Sequence, residues 1–92
     1  MTFYPEYITE CVPADLIIET EAGVYVGWYD RKNLQRGQDS PTPEEQPIWK
    51  IKFVEIKKDG DNTITRTLYP DGIADYCYAI ANYNEYEYRY KN

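Results

Sequence analysis

The sequence predicts a mainly β protein, built as a small antiparallel sheet or sandwich of two hairpins plus a C-terminal strand, with one short helix near residues 73–82. Three observations support this fold class. Apolar and polar side chains alternate with a period of two in several short runs, turn motifs separate these runs, and helical spacing occurs in one stretch. With 92 residues, the chain is expected to form a single domain over 1–92, with one modest core.

The first predicted hairpin joins residues 15–20 to residues 24–30 through a turn at 21–23. In the second of these runs, valines and a tryptophan alternate with tyrosines, and such residues favour strands. Gly27 interrupts the run. A glycine inside a strand indicates a β-bulge or the close approach of another backbone.

The second predicted hairpin joins residues 48–57 to residues 62–69 through a Lys-Asp-Gly-Asp turn at 58–61. Its first strand carries the clearest alternation in the chain. The apolar phase slips after Phe53, which predicts a bulge near that residue because one extra residue would restore the pattern. Its second strand carries a row of threonines, which predicts a face that is exposed to solvent or paired with another sheet.

Helical spacing follows a turn at residues 69–72. Four apolar or weakly polar side chains recur at positions i, i+3, i+4 and i+7, and three alanines favour a helix in the same stretch. We therefore expect a short helix over 73–82. The four side chains belong to Ile73, Tyr76, Cys77 and Ile80.

Tyrosine is the main candidate for binding, since the chain has eleven tyrosines and its ring combines an apolar face with a hydroxyl group. At the C-terminus, tyrosines alternate with charged residues, which predicts a strand at a sheet edge or between subunits. At the N-terminus, two prolines predict an extended arm over residues 1–13. Burial of these rings on the chain's own core is the alternative. The candidate partner-interface residues are Phe3, Tyr4, Tyr7, Tyr86, Tyr88 and Tyr90.

A long polar loop is predicted over residues 31–47. This stretch contains three prolines, one glycine and a single large apolar residue, Leu34, so it has no face to bury. A loop of this length is either mobile or functional, and we favour an ordered contact loop.

The charge balance argues against polyanionic partners. Sixteen acidic and ten basic residues give a formal net charge of −6, which disfavours direct binding to nucleic acid or to anionic lipid. No stretch has the length of apolar sequence that a membrane span requires. The N-terminus has no basic region followed by an apolar run, so we expect a cytoplasmic origin with Cys11 and Cys77 reduced.

The residue types needed for several kinds of chemistry are missing. The chain has no histidine, which excludes Ser-His-Asp and Cys-His arrangements, and its glycines form no phosphate-binding motif. The residues 59–62 resemble the start of a calcium loop, but Pro70 stands where the loop needs a bidentate glutamate. We therefore expect no enzymatic activity, no catalytic residue, no metal and no cofactor.

One set of landmarks resembles a known group of proteins. The set comprises Val24-Tyr25-Val26-Gly27, a polar loop, a strand that starts Trp49-Lys50-Ile51, a strand that ends Tyr69-Pro70-Asp71-Gly72, an aromatic turn of helix and a closing tyrosine strand. Over residues 24–90 the chain resembles the small β proteins encoded among the virion and tail-fibre genes of tailed bacteriophages. It departs from their pattern at residues 80–84. Those proteins often have a WDNR-like stretch before the last strand, whereas this chain has an Asn and an aromatic residue there but neither the Trp nor the Arg. The resemblance implies a non-enzymatic particle component, present in several copies and held by neighbouring virion proteins.

The leading hypothesis is accordingly a structural virion protein, such as a head-fibre, tail-fibre or capsid-decorating protein. Its partners would be other virion proteins and copies of itself, and it would reside in the virion after assembly in the host cytoplasm. One alternative is a small acidic phage-encoded inhibitor that binds a basic groove of a host protein. Another is a carbohydrate-binding module that uses Trp28 or Trp49 as a stacking platform.

Overall fold

A computed structural model describes residues 14–92, and within this range the strands form one antiparallel sheet. The strands lie in the sheet in the same order as in the chain. This confirms the mainly β class, and of the two arrangements left open by the sequence it is the single sheet that forms. The strands are β1 (Leu16–Thr20), β2 (Gly23–Tyr29), β3 (Trp49–Asp59), β4 (Asn62–Pro70) and β5 (Tyr88–Arg89).

Both predicted hairpins are present. β1 pairs with β2 along its whole length, and β3 pairs with β4 from Phe53 to the two-residue turn at Gly60 and Asp61. Gly60 has a φ of 63°, a left-handed conformation that glycine adopts without steric cost and that a two-residue hairpin turn requires. The sheet is completed by β5, which pairs with Tyr69 and Pro70 at the end of β4.

The predicted bulge near Phe53 is wrong. β3 pairs with β2 in an unbroken register from Trp49 to Glu55, and with β4 in an unbroken register from Phe53 to Asp59. The apolar phase slips because the middle of β3 is buried on both faces of the sheet, with Ile51 and Val54 both at 0% exposure. A strand buried on two faces does not show a clean alternation of apolar and polar residues.

Gly27 lies in a regular strand position, opposite Leu16 in β1 and Ile51 in β3. It marks a close approach, but by side chains rather than by a backbone. A β-carbon at this position would lie 2.9 Å from Cε3 of Trp49 and 3.0 Å from Cδ1 of Ile80. Because Gly27 has no side chain, the Trp49 and Ile80 side chains of the main core can occupy this space.

The predicted helix over 73–82 is wrong. Of its four spaced residues, Ile73, Tyr76 and Cys77 are exposed and only Ile80 is buried. The segment is extended at Tyr78, whose N–H donates to the Trp49 carbonyl at 3.1 Å and whose carbonyl accepts the Trp49 N–H at 2.8 Å. A ten-residue helix is marginal by itself, so these tertiary hydrogen bonds override the local spacing. The helical content here is a single 3₁₀ turn, Ile80–Asn82.

The loop over residues 31–47 is held together by Gln46, which is 3% exposed. Its side-chain oxygen accepts the Gln35 N–H at 2.8 Å, and its side-chain amide donates to the carbonyls of Gln35 and Pro41, both at 3.0 Å. The loop also contains a 3₁₀ turn, Pro43–Glu45, which receives the Trp49 indole N–H at 2.9 Å. These contacts order the loop on the chain itself, and its role in contacting a partner stays a prediction.

Candidate interaction surfaces

The predicted interface tyrosines do not form one exposed row. Phe3, Tyr4 and Tyr7 lie outside the described residues. At the other end of the chain, β5 contains only Tyr88 and Arg89, so the tyrosines at 86, 88 and 90 do not share a strand. Tyr90 is 64% exposed, whereas Tyr86 and Tyr88 are half-buried and pack against the main core.

The two half-buried tyrosines have their hydroxyl groups satisfied within the chain. The Tyr86 hydroxyl accepts the Ala79 N–H at 3.0 Å and donates to the Ala79 carbonyl at 3.1 Å. The Tyr88 hydroxyl donates to the Tyr83 carbonyl at 2.6 Å. The alternative of burial on the chain's own core is therefore the observed arrangement for these two rings.

Around these hydroxyls the aromatic rings form a cluster on the core face of the sheet. Tyr25 stacks on Phe53 with ring centroids 4.3 Å apart. Tyr88 meets both rings edge-on, at 5.3 Å from Tyr25 and 5.6 Å from Phe53, and Tyr83 meets Tyr25 at 4.8 Å. Edge-on and offset arrangements are the favourable ones for aromatic pairs. Most of the tyrosine surface near the C-terminus thus stabilises the fold.

The electrostatic state of the buried phenols follows from this packing. Burial raises the pKa of the Tyr88 phenol far above its ordinary value, and the nearby Tyr25 adds to the shift. Burial, followed by a hydrogen bond to the Asp71 carboxylate and the charge of that group, raises the pKa of Tyr78 to about 12. Both phenols stay protonated at neutral pH and act as hydrogen-bond donors.

Neither tryptophan offers a stacking platform. Trp28 is 3% exposed and Trp49 is 2% exposed. Trp28 is covered in part by the Lys50 ammonium, which lies 4.7 Å from the ring centroid. A sugar ring needs an accessible aromatic face, so the carbohydrate-binding alternative loses the residues on which it was based.

A metal site or a reactive thiol among residues 14–92 would offer a further functional centre. In this range no three acidic or cysteine side chains come together as a metal site, and no helix has the length and apolarity to cross a bilayer. The thiol of Cys77 is free, and partial burial, followed by the charges of Asp75 and Asp71, raises its pKa. A thiol with a raised pKa is seldom ionised at neutral pH and is a weak nucleophile.

A shallow groove of about 460 Å³ lies where the polar loop leaves β2, between Tyr29 and Tyr76. Two of its charged groups, Asp30 and Arg31, bind other residues of the chain, and the Asp30 carboxylate accepts the Asn33 side-chain amide at 2.6 Å. The Arg31 guanidinium lies 4.4 Å from the Tyr29 ring centroid and forms an ion pair with Asp15, and this hydrogen-bonded pair lowers the pKa of the Asp15 carboxyl. The groove therefore anchors the start of the loop to the sheet.

The longest unbroken run of exposed residues between 14 and 92 is the outer half of the β3–β4 hairpin, residues 57–67. β2 stops supporting the hairpin at Ile56, whose N–H donates to the Ala22 carbonyl at 3.0 Å. Beyond that point, in the part of the chain that the structure describes, the two strands pair only with each other. Every residue from 57 to 67 is exposed, and Ile64 presents an apolar side chain at 37% exposure. The hairpin projects from a molecule that measures 51 × 28 × 23 Å along its principal axes.

The outer edge of β4 is uncovered over residues 62–68 within the described chain, because β5 reaches only Tyr69 and Pro70. Asp59 and Asn62 flank the two-residue turn and form a hydrogen-bonded pair. The N–H and C=O groups of the even-numbered residues of β4 therefore point towards β3. The odd-numbered residues face outward, which agrees with the hydrogen bond from the Asp71 N–H to the Glu87 carbonyl at 2.6 Å. The residues whose N–H and C=O groups point outward are Thr63, Thr65 and Thr67.

Comparisons with known proteins do not place the chain in a family: no family model, no curated protein and no solved structure matches it. The surfaces described above therefore carry the functional argument.

Sequence reasoning found the threonine row but not the open edge beside it. The sequence feature that could have revealed the open edge is the difference in length between the last two strands. The run 62–69 is long, whereas the alternating tyrosine run that follows is short and is preceded by an Asn-Tyr-Asn stretch typical of turns. A short last strand leaves most of the preceding strand unpaired.

Proposed function

We propose that the protein is a non-enzymatic structural component of a tailed-phage virion, namely a head-fibre, tail-fibre or capsid-decorating protein that acts through protein–protein contacts. The observation that supports the contact role is the projecting hairpin with its uncovered β4 edge. The virion assignment is supported by the resemblance of residues 24–90 to the small β proteins of tailed phages.

The chemistry of the edge suits addition of a strand from a neighbouring protein. An uncovered strand edge is a template for main-chain hydrogen bonding, and side chains on alternate positions then contribute specificity. β4 lacks several of the devices that block such pairing, since residues 62–68 contain no lysine and no proline, and Arg66 is their one charged residue. The partners are other virion proteins, including copies of this chain.

The interface is expected to combine modest apolar burial with a charged rim. Ile64 and the threonine methyl groups provide apolar surface, and charges of both signs surround them. This composition fits a protein neighbour rather than nucleic acid or a membrane. The charged residues of the outer hairpin are Lys57, Lys58, Asp59, Asp61 and Arg66.

The test uses one substitution at the edge and one matched control. Thr65→Lys adds a charged side chain next to the outward-facing main chain, and Asn84→Lys makes the same charge change at an exposed turn away from the edge. Association of the full chain, with itself by light scattering and with purified particles of the encoding phage by co-sedimentation, is then measured.

We expect wild type and Asn84→Lys to associate alike, and Thr65→Lys to weaken association by roughly tenfold, a typical cost of about 1.4 kcal/mol for a disturbed interface residue. A wild-type chain that stays monomeric and does not sediment with particles would contradict the proposal. Equal association of all three chains would contradict the role of the β4 edge.

A further inference from the structure

The uncovered edge of β4 is symmetric about its middle residue, Thr65. The edge runs from Asn62, which follows the hairpin turn, to Leu68, which precedes the two residues that β5 covers. Thr65 lies three residues from each end, and the outward-facing Thr63 and Thr67 lie two residues on either side of it. A two-fold axis at Thr65 therefore brings the whole edge of one copy against the whole edge of another.

We propose that two copies of this chain pair through this edge in an antiparallel ladder, with the two-fold axis at Thr65, and so join their sheets. This inference rests on the contact role proposed for the β4 edge and names the partner as a second copy. In this register Thr65 faces Thr65 of the second copy, and Thr63 faces Thr67 of the second copy. Both members of each pair have outward main-chain groups, so each pair exchanges two hydrogen bonds, as antiparallel pairing requires.

The register is set by the length of the edge and by its one charged residue. Moving the axis by one residue in either direction leaves two residues of each copy unpaired, because the turn or β5 limits the ladder. Moving it to Arg66 also sets the arginines of the two copies directly opposite each other, and like charges in facing positions are unfavourable. With the axis at Thr65, residues 62–68 pair in full and Arg66 faces the apolar Ile64.

The side chains that this register brings together are compatible. Threonines face threonines on one side of the sheet, and such cross-strand pairs stabilise a sheet. At each end of the ladder, Asp61 lies in line with Tyr69 of the second copy, and that tyrosine pairs with Arg89 in β5. The Arg89 side chain is 58% exposed and binds Glu87 at 2.7 Å. A guanidinium has five N–H donors, so Arg89 can bind the second carboxylate as well.

The length of the edge also sets the strength and the size of the assembly. The ladder over 62–68 is short beside the roughly 20–30 residues that each side of a standard interface contributes. We therefore expect free chains to pair weakly, and copies held side by side on a particle to pair firmly, because their effective concentration is high. The two-fold contact uses the β4 edges of both copies, so pairing through this edge ends at two copies.

The test is disulfide cross-linking of the full chain with Cys11 and Cys77 replaced by serine. Facing residues of a hydrogen-bonded antiparallel pair have Cα atoms about 5.5 Å apart, which a disulfide can bridge. With oxidised glutathione, we expect Thr65→Cys to form a covalent dimer at least about tenfold faster than Thr63→Cys alone or Thr67→Cys alone. A mixture of the last two variants should cross-link as Thr65→Cys does, because Thr63 faces Thr67.

The control variants separate this register from others. In the Thr63→Cys chain alone, the two thiols lie four residues apart along the ladder, about 13 Å, which a disulfide cannot span. Preferred cross-linking of Thr65→Cys with Thr63→Cys or with Thr67→Cys would show a shifted register and would overturn the proposal. Equal rates in all the single variants would show random collision and would overturn it too.

The unsubstituted chain provides a second readout by nuclear magnetic resonance. In a sample that mixes labelled and unlabelled chains, we expect an Overhauser contact between Hα of Ile64 in one copy and Hα of Arg66 in the other, since non-hydrogen-bonded pairs have Cα atoms about 4.5 Å apart. The absence of this contact and of the cross-links at about 1 mM chain would overturn the proposal. If particles then still bind wild type but not Thr65→Lys, the proposed function stands without the second copy. If particles do not bind wild type either, both proposals fail.

Discussion

At the scale of single residues, Tyr78 connects the C-terminal third of the chain to the sheet by three kinds of contact. Its main chain forms a two-way bridge with Trp49. Its hydroxyl donates to the Pro70 carbonyl at 3.0 Å and contacts the Asp71 carboxylate at 3.2 Å. Its ring packs edge-on against Tyr86, with centroids 4.8 Å apart. One residue thus fixes both the turn after β4 and the segment that covers the core.

The pKa of Tyr78 predicts a loss of stability in alkali. The folded-state pKa of about 12 lies above the ordinary value of 10.0, so the neutral phenol contributes stability that is complete below pH 10 and is lost as the pH rises towards 12. The free energy of unfolding should fall by on the order of 2 kcal/mol across that window on account of this group.

Urea unfolding of wild type and Tyr78→Phe as a function of pH measures this contribution. Near pH 8 the variant should be less stable by about 1 kcal/mol because it lacks the hydroxyl hydrogen bonds. Its further decline in alkali should be shallower than that of wild type. Parallel declines in the two proteins would contradict the assignment.

Gly27 makes a second prediction at the residue scale. Replacing it with alanine places a β-carbon within 3.0 Å of the Trp49 and Ile80 side chains, both of which are held in the core. Overpacking of this kind costs about 1–3 kcal/mol. Thr63→Ala on the exposed hairpin is the control and should change the free energy of unfolding by less than about 0.5 kcal/mol. Equal effects in the two variants would show that the core relaxes around the added methyl group.

At the scale of elements, the loop over 31–47 shows how a segment without regular strands becomes ordered. Gln46 replaces sheet hydrogen bonds with three side-chain bonds to the loop backbone. A capping box at the preceding 3₁₀ turn adds further order, with the Glu45 carboxylate accepting from the Thr42 N–H at 3.1 Å and from its hydroxyl at 2.8 Å. Burial of the glutamine keeps these bonds away from competing water.

Removing the Gln46 amide should therefore loosen the loop. Gln46→Ala leaves one N–H and two carbonyl groups without their partner, at an expected cost of about 2–3 kcal/mol. Gln38→Ala removes the same side chain from an exposed position of the loop and is the matched control. Urea unfolding gives the cost, and amide exchange at Gln35 reports local opening. If both variants keep wild-type stability, Gln46 does not hold the loop.

The elements also show which structural features could be predicted from the sequence. Both hairpins and the turn at 69–72 followed from period-two alternation and turn residues, because these signals are local. The prediction of a helix over 73–82 is wrong because the conformation of this segment is set by hydrogen bonds to Trp49, a residue far away in the sequence. The prediction of a bulge near Phe53 is wrong because β3 is buried on both faces of the sheet, and such burial removes the alternation of apolar and polar residues from which the register was inferred. The burial of Tyr86 and Tyr88 could not be predicted from local alternation either, because the residues that they pack against lie in distant parts of the sequence.

At the scale of the whole molecule, the protein consists of a body with two buried sheet faces and a projecting hairpin. One face carries the aromatic core, and the other carries Val24, Val26 and Trp28, which are buried. Residues 57–67 of the hairpin contribute little to either face, since all of them are exposed. Its length and open edge are the features on which the proposed contact with another protein rests.

The salt dependence of partner binding distinguishes this account from the acidic-inhibitor alternative. Charge-driven binding to a basic groove should weaken steeply between low and moderate salt, because screening acts over about 10 Å at 0.1 M. Main-chain pairing and apolar burial at the β4 edge should change much less. Binding to the identified partner across a salt series measures the difference, and a steep loss of binding would favour the inhibitor.

Amide hydrogen exchange at the β4 edge is the most direct measurement. The N–H groups of Thr63, Thr65 and Thr67 point outward and should exchange quickly in the free chain, whereas those of Ile64 and Arg66 face β3 and serve as controls. On assembly with its partner, the account predicts that the three threonine amides slow by roughly tenfold or more while the controls keep their ratio to one another. Unchanged exchange of the three threonine amides in the assembled state would contradict it.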